Sequence, residues 1–574
     1  MRRMGIGLGI GINRSNYAQG IFGAYQSRVT ADGGVTEAGA CVDAVSGLLQ
    51  SASLLIIPSG YKGGKAYAEI PTNGNGDLTW TRASDAWRTN ADGLIQRVPW
   101  NLLQQSNAFS TSPWSLVGTP TLTANYAANP LTGANDAWRF QSASASNRVF
   151  QVFNGSLTTF SLYAKGTGII RLRDSTDNYR ADVVLTSSWQ RVTLYIPASF
   201  TNVQITSDAG CDATIYGAQL VEGSSAQTYF PTTDRLNVPR LSYMYGSCPA
   251  LLLEPQRTNL ALYSDDATQW TKASSGVSTP TVTANQTTSP DGTTNADKIV
   301  FPAISSVGNY TVVTMSFTAS AASYSGSVWM RGENGGEVVW LAFTKNGINY
   351  TQTLCTLTTS WQRFVLTSTL TSGADNFQIG IDLRDTAESS KPAQTIYVYG
   401  RQLELGAYPT TIIPTTTASA TRIADSFSRN NIYTNGLITS SGGTWFVELR
   451  GNVAYVRDST AINLFLGDNI TAPNNAFVIR TASSASTRLS LQKVVAGSFI
   501  ILTTPSTDTL KIAFKWNGTS ADVFVNGVKE ISATAFTTTN MEFLSCIAQN
   551  PTFIQQMALF NSALTDAQCQ TLTT

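Results

Sequence analysis

The sequence reads LTSSWQR at residues 185–191 and LTTSWQR at residues 357–363. Further matched pairs flank this motif in the same order along the chain: Asn-Leu at 101 and 259, TPTLTAN at 119–125 and TPTVTAN at 279–285, and YGAQLVEG at 216–223 and YGRQLELG at 399–406. A duplication that keeps the order of its motifs predicts two copies of one domain. We place the first copy at residues 101–233 and the second at 259–416.

Each copy reads as short strands separated by turns rich in Ser, Thr, Asn and Gly, with almost no helical periodicity. This pattern is typical of an all-β fold, and we predict a jelly-roll sandwich for each copy. The spacing between matched motifs grows along the domain, so the second copy has the longer loops. Loops of this kind tolerate insertion and commonly carry a binding surface.

The composition limits the partners of this chain. Only 13% of its 574 residues are charged, and 37 Lys and Arg against 36 Asp and Glu leave a net charge of +1. Nothing in this balance attracts nucleic acid or an anionic membrane surface. We expect a soluble chain that begins at or near Met1, since no stretch is long and apolar enough for membrane insertion.

The chain contains no histidine. This removes the commonest general base and the commonest metal ligand, and it excludes Ser-His-Asp and Cys-His sites within the chain. We expect no cofactor, no metal and no catalytic residue. The cysteines show no CxxC motif, and we predict that all six are reduced core residues: Cys41, Cys211, Cys248, Cys355, Cys546 and Cys569.

The remaining segments differ from the repeats. Residues 1–60 combine alternating Gly and Ile with a short helix predicted near 37–52, and we interpret them as an anchor that is ordered by a larger assembly. Residues 61–100 contain hairpin signals and, together with 234–258, form a predicted β connector into which the first repeat is inserted. Residues 422–574 form a third predicted β domain, with Asn-Gly turns at 517 and 526.

Three sets of motifs resemble known families. The repeats resemble carbohydrate-binding-module-like jelly rolls of bacteriophage structural proteins. The motifs that carry this resemblance are Asn-Leu at the start of each repeat, Trp-Gln-Arg in a central strand and Tyr-Gly-x-Gln-Leu near the end. The last domain looks like a concanavalin/laminin-G-like sandwich, on VFVNGV at 523–528 and FNSALTDAQ at 560–568. The connector is similar to segments of tail and head fibre proteins of phages, notably those that infect Bacteroidetes, on WTRAS at 80–84 and LLLEPQRTNL at 251–260.

These resemblances imply a virion fibre or decoration protein without enzymatic activity. Its N-terminus would attach to other virion proteins, and its outer domains would bind a host surface glycan. Phage fibres also suggest a homotrimer, because cyclic symmetry lets one anchor present several equal tips. Two alternatives remain open: a glycan depolymerase that uses two carboxylates, and a purely architectural capsid decoration protein.

Exposed aromatic rings are the usual platforms for sugars, because a ring stacks on the apolar face of a pyranose. Four residues are candidates for this role: Trp138, Trp329, Trp340 and Tyr350. The alternative for each is core packing. Trp189 and Trp361 stand at equivalent points of the two copies, and we assign them to the framework.

Each repeat contains a group of acidic residues: Asp174, Asp177 and Asp182 in the first, Asp382, Asp385 and Glu388 in the second. Carboxylates in such a group can bind calcium or supply a glycosidase pair. Their spacing matches no known cation loop, and we favour solvated loops.

Overall fold

The computed structural model of the protein describes residues 35–36, 47–58, 60–62, 65–71, 73–246, 248–346, 348–370, 377–384, 390–450, 462–469, 475–481, 489–495, 498–504, 509–534, 541–548 and 551–574. It is nearly all β, with 54% strand and 3% helix, which confirms the predicted all-β, multidomain sandwich architecture. Helical structure in this part of the chain consists of the 3₁₀ turns Leu49–Ser51 and Ala267–Gln269 and the helix α1, Asp566–Thr573. Most of the predicted N-terminal anchor, including the greater part of its helix, lies outside the described residues.

Seven described strands precede the first repeat: β1 Val35–Thr36, β2 Leu54–Ile56, β3 Gly60–Lys62, β4 Lys65–Ala66, β5 Leu78–Thr81, β6 Ala86–Thr89 and β7 Ile95–Val98. Strands β6 and β7 pair only with each other and form a hairpin.

The first repeat consists of ten strands: β8 Trp114–Val117, β9 Thr121–Ala127, β10 Ala137–Ser142, β11 Arg148–Gly155, β12 Thr158–Thr167, β13 Ile169–Asp174, β14 Arg180–Val184, β15 Gln190–Ile196, β16 Phe200–Ser207 and β17 Cys211–Glu222. They form two five-stranded antiparallel sheets, in the orders β15-β12-β17-β10-β9 and β14-β13-β16-β11-β8. The alternating apolar residues of both sheets meet in one core that includes Phe140, Phe160, Leu172 and Ile205.

Between the repeats run β18 Leu241–Ser242, β19 Ala250–Leu253 and β20 Arg257–Asn259. The second repeat follows with β21 Thr271–Ser275, β22 Thr281–Thr287, β23 Ala296–Phe301, β24 Tyr310–Phe317, β25 Ala322–Gly332, β26 Val338–Lys345, β27 Ile348–Thr356, β28 Gln362–Leu370, β29 Phe377–Arg384 and β30 Gln394–Leu405. Its sheets have the orders β28-β25-β30-β23-β22 and β27-β26-β29-β24-β21, which repeat the first copy strand for strand.

The C-terminal strands are β31 Ala420–Arg422, β32 Ser426–Asn430, β33 Gly443–Arg450, β34 Ile462–Gly467, β35 Asn475–Thr481, β36 Leu489–Val495, β37 Ser498–Thr504, β38 Thr509–Trp516, β39 Ser520–Val525, β40 Val528–Thr534, β41 Phe543–Ile547 and β42 Thr552–Phe560. Strand β31 pairs with β20. The others join earlier strands in two large sheets, β1-β3-β4-β5-β32-β41-β34-β35-β36-β37 and β18-β19-β42-β33-β38-β39-β40, and β2 also pairs with β42.

This pairing differs from the predicted separate connector. Strand β5 pairs with β32 and strand β19 pairs with β42, so segments from both halves of the connector complete the C-terminal sandwich. Trp80 on β5 and Leu251 and Leu253 on β19 lie in the same core as Trp445 and Phe514. The reason is burial. Strands β5 and β19 carry apolar side chains that a second sheet must cover, and strands much later in the chain form that sheet. Both repeats are therefore insertions between strands of one sandwich.

A buried ion network joins the segments at the insertion points. Arg82 Nη1 donates to Asp425 Oδ1 at 2.6 Å, and Arg240 Nη1 donates to Glu254 Oε2 at 2.7 Å. Arg422 lies 3.0 Å from Glu254 Oε2, and Arg240 also pairs with Asp425. All five side chains are almost fully buried. The WTRAS and LLLEP motifs thus supply charged residues that hold the sandwich together.

The cysteines depart from the prediction at one position. Cys211, Cys355, Cys546 and Cys569 are free and buried, as expected of core thiols. Cys248 is disulfide-bonded, so the prediction that every cysteine is reduced is wrong there. Disulfide formation depends on how close two Cβ atoms come in space, which sequence spacing does not reveal. Cys41 lies outside the described residues. No helix in the described part of the chain is long and apolar enough to cross a membrane.

Candidate functional site

In each repeat, the sheet that contains β16 or its counterpart β29 presents a face that points away from the core. In β16, Val203 and Ile205 lie in the core of the first repeat, so the alternate residues Gln204 and Thr206 point to the opposite face. In β29, Ile379 and Ile381 are the core residues, and the alternate positions again form the outward face. The equal strand order therefore gives two outward faces that can be compared position by position.

The outward face of the first repeat is rich in arginine, and we call it the arginine face. It comprises Arg148, Phe150, Arg171, Arg173, Arg180, Asp182, Gln204 and Thr206. Strand register arranges these residues in two rows across the sheet. One row runs Asp182, Arg171, Thr206, Arg148, and the next runs Arg180, Arg173, Gln204, Phe150.

Aspartates fix two of these arginines in place. Arg171 donates to Asp182 at 3.0 Å and to Asp208 at 2.5 Å, and these hydrogen bonds raise the pKa of its guanidinium. Arg173 lies 2.7 Å from Asp177. Arg180 is 56% exposed and is 3.6 Å from Asp182. Among the described residues Arg148 forms no ion pair, so its charge remains open to a ligand.

Two polar side chains in the middle of the arginine face are buried. Gln204 is 6% exposed and Thr206 is 2% exposed. Gln204 Nε2 donates to Asn202 Oδ1 at 2.8 Å, but Gln204 Oε1 and Thr206 Oγ1 have no hydrogen-bond partner in the described structure. A buried polar atom without a partner costs free energy, so such atoms point to a ligand that supplies the missing bonds.

The outward face of the second repeat has a different chemistry, and we call it the tryptophan face. It comprises Val312, Thr314, Trp340, Ala342, Gln352, Leu354, Gly380 and Asp382. Trp340 is half-buried and lies between Asp382 on β29 and Leu354 on β27, which is 49% exposed. The neighbouring row is Thr314, Gly380 and Ala342, which have small side chains or none.

Register matches the two faces residue by residue. The cross-strand partners of Thr206 are Arg171 and Arg148, whereas those of Asp382 are Trp340 and Val312. The matched pairs are Arg148 with Val312, Phe150 with Thr314, Arg171 with Trp340, Arg173 with Ala342, Arg180 with Gln352, Asp182 with Leu354, Gln204 with Gly380 and Thr206 with Asp382. None of the four arginines is kept.

The four predicted aromatic residues lie in different places. Trp340 is on the tryptophan face. Trp138 is 9% exposed, its Nε1 donates to Asn107 O at 2.8 Å, and its ring meets Phe109 in the core. It therefore offers no free ring to a sugar, because the apolar core of the sandwich takes it up. The side chain of Tyr350, on β27, is outside the described part of the structure.

Trp329 is partly buried against another part of the chain. It packs with Trp87 and Ile95 of the β6–β7 hairpin and with Tyr399 and Ile412. The same hairpin contacts the first repeat, since Gln96 Nε2 donates to Gln227 Oε1 at 2.5 Å. Trp329 thus helps to hold the hairpin between the repeats. Trp361 belongs to the same cluster, and Trp189 packs against the equivalent cluster of the first repeat, in agreement with their framework assignment.

Sequence reasoning missed the arginine face. Its signal is the alternation in IIRLRD at 169–174, where Ile170 and Leu172 are core residues and Arg171 and Arg173 point outward. A search restricted to aromatic platforms passes over this pattern.

The acidic residues of the first repeat already have partners. Asp174 accepts hydrogen bonds from Thr176 N and Tyr179 N, each at 3.1 Å, within the turn between β13 and β14. Burial opposes its ionisation, but these bonds keep its pKa below the usual value. Asp177 and Asp182 pair with arginines of the arginine face, and Asp385 and Glu388 lie outside the described residues. The described residues contain no group of three or more His, Cys, Asp or Glu side chains placed to hold a metal ion.

The chain matches no protein-family model and no curated protein. Domain 4 of AbnA, a GH43 extracellular arabinanase from Geobacillus stearothermophilus in complex with arabinotriose, is 14% identical, with a TM-score of 0.22 over 28% of this chain and 78% of that chain. The N-terminal CBM22-1-CBM22-2 tandem domain from Paenibacillus barcinonensis Xyn10C is 12% identical, with a TM-score of 0.20 over 53% and 97%. The Ruminococcus gnavus IT-sialidase CBM40 bound to alpha2,3 sialyllactose is 14% identical, with a TM-score of 0.18 over 23% and 83%. Scores this low support no conclusion about the ligands of this chain.

Proposed function

We propose that the protein is a glycan-binding structural subunit of a bacteriophage virion, a tail or head fibre protein without enzymatic activity that attaches the particle to a host surface glycan. The observation that carries the glycan binding is the outward sheet face of the second repeat, on which Trp340 lies beside a row of small residues, Thr314, Gly380 and Ala342. A half-buried ring with an open apolar neighbour, Leu354, suits the apolar face of a pyranose. Two linked faces would also raise the effective concentration for a repeating polymer.

The virion role rests on the resemblance of residues 80–84 and 251–260 to phage fibre segments. We propose that the N-terminal residues 1–60 attach the protein to other virion proteins and that three copies assemble. Light scattering on the full-length protein tests the assembly, and a monomer in solution and on the particle would contradict it. A chain that starts at Asn259 is not a suitable control, because it lacks β5 and β19 and leaves the C-terminal sandwich incomplete.

Glycan binding is tested with full-length protein on an array of bacterial surface polysaccharides. We expect binding to at least one polysaccharide and about a ten-fold loss with Trp340→Ala, since the variant removes the stacking platform. Trp361→Ala is the matched control, because that ring packs in the framework. Binding by the wild type without any effect of Trp340→Ala would remove this face from the site, and release of reducing ends would show a depolymerase instead.

A further inference from the structure

We propose that the arginine face of the first repeat binds an acidic polysaccharide whose sugars carry carboxylates, so that the two repeats recognise sugars of different charge. This inference rests on the proposed glycan binding and names the ligand class of one face.

The arginine face carries more positive than negative charge. Four guanidinium groups, of Arg148, Arg171, Arg173 and Arg180, face three carboxylates, of Asp177, Asp182 and Asp208. The face keeps an excess of positive charge although the chain as a whole is close to neutral. Guanidinium binds carboxylate through paired hydrogen bonds, and Arg148, which lacks an ion-pair partner among the described residues, is placed to form them.

Two buried side-chain oxygens on the arginine face can bond a sugar. Gln204 Oε1 can only accept a hydrogen bond, and Thr206 Oγ1 can donate or accept one. A sugar offers hydroxyl groups that satisfy both atoms. The phosphodiester backbone of a nucleic acid offers acceptors only, so it cannot supply the donor that Gln204 lacks.

The buried oxygens lie next to an aromatic ring and a guanidinium group. On β11, Phe150 lies directly across from Gln204 of β16, and Arg148 lies directly across from Thr206 of β16. A sugar ring on Phe150 would therefore have the amide oxygen beside it and the guanidinium two residues along the strand. That is the combination that a carboxylated pyranose needs: an apolar surface, a hydrogen-bond acceptor and a cation.

The second repeat serves as an internal reference. At the matched positions it has Val312, Thr314, Gly380 and Asp382, and none of the four arginines is kept there. The arginine beyond these positions on β29, Arg384, pairs with Asp382 at 3.2 Å. The same sandwich therefore forms without these arginines, so folding alone does not require them.

The test uses the full-length protein and measures binding to polygalacturonate, alginate and hyaluronate, with dextran as a neutral polymer and a DNA duplex as a non-sugar polyanion. We expect binding to at least one polyuronate that weakens as salt is added. Arg148→Ala should weaken it about ten-fold, because a hydrogen bond to a charged group is lost, while Arg148→Lys retains part of the affinity.

Val312→Ala is the matched control at the equivalent position of the second repeat, and it should leave polyuronate binding unchanged. Thermal unfolding checks that each variant is folded. The inference is overturned if dextran or DNA binds as tightly as every polyuronate, if Arg148→Ala binds like the wild type, or if Val312→Ala weakens polyuronate binding as much as Arg148→Ala does. Binding of neutral glycans alone would overturn this inference and leave the proposed function standing, whereas a protein that binds no glycan would overturn both.

Discussion

The described residues of the two repeats share the strand order of both sheets but differ on the outward face of one sheet. In the first repeat that face carries Arg148, Arg171 and buried Gln204, and in the second it carries Val312, Trp340 and Gly380. Their cores remain apolar in both copies. Duplication therefore preserved the scaffold, while the outward positions, which do not determine folding, became chemically different.

The largest effect is expected at the ion network on which both repeats depend. Glu254→Ala should lower the free energy of unfolding by about 3–5 kcal/mol, since it removes the carboxylate that pairs with buried Arg422 and one of the two that pair with buried Arg240. Chemical unfolding of the full chain measures this. Asp177→Asn, which removes an exposed carboxylate, is the control and should change stability by less than about 1 kcal/mol.

The same network predicts the response to acid. Burial acts to raise the pKa of Glu254, but Arg422 and Arg240 lower it from 4.5 to about 2. A carboxyl group with a lowered pKa in the folded state stabilises fully above pH 4.5, and this contribution is lost as the pH falls toward 2. Stability of the wild type should therefore fall over this range, and the Glu254→Ala variant should show a smaller fall. Equal slopes would contradict the assignment.

An intermediate effect is expected when the second face is changed toward the first. Gly380 on β29 matches Gln204 of the first repeat, so Gly380→Gln gives the second face the glutamine of the first. A Cβ at position 380 would lie 2.3 Å from Val313 O and 2.6 Å from Thr314 Cγ2. We expect a loss of about 1–3 kcal/mol from overpacking, measured by thermal unfolding. The reverse change, Gln204→Gly, meets no such clash, and it costs about 0.5–1 kcal/mol from backbone entropy together with the hydrogen bond to Asn202. Equal costs would mean that the two strands have the same steric environment.

The smallest effect separates binding from stability. Thr206→Val replaces a buried hydroxyl that has no partner with a methyl group of similar shape, so stability should stay within about 0.5 kcal/mol of the wild type or rise. Polyuronate binding should weaken, because the hydroxyl no longer bonds the sugar. Thr314→Val on the tryptophan face is the control for binding. A clear loss of stability in Thr206→Val would show that the hydroxyl has a structural partner.

Among the aromatic candidates, sequence reasoning could not separate Trp138 from Trp340. Both are tryptophans within strands of a repeat, and only the packing of Trp138 against Phe109 in the core distinguishes them. Trp329 was equally ambiguous, because Trp87, which belongs to the same hydrophobic cluster, lies in a hairpin far away in the sequence. The arginine face was within reach, since the alternation of Ile170, Arg171 and Leu172 marks one inward and one outward side.

The sequence by itself determined the all-β architecture and the presence of two equal domains, because alternation, turn residues and repeated motifs are local signals. The tertiary structure alone decided that β5 and β19 complete the C-terminal sandwich and that both repeats are inserted into it. It also decided which side chains share a face, as Thr206 does with Arg148 and Arg171. The physical reason is that strand pairing is a contact between segments distant in sequence, and its register depends on which apolar residues find cover in the folded chain.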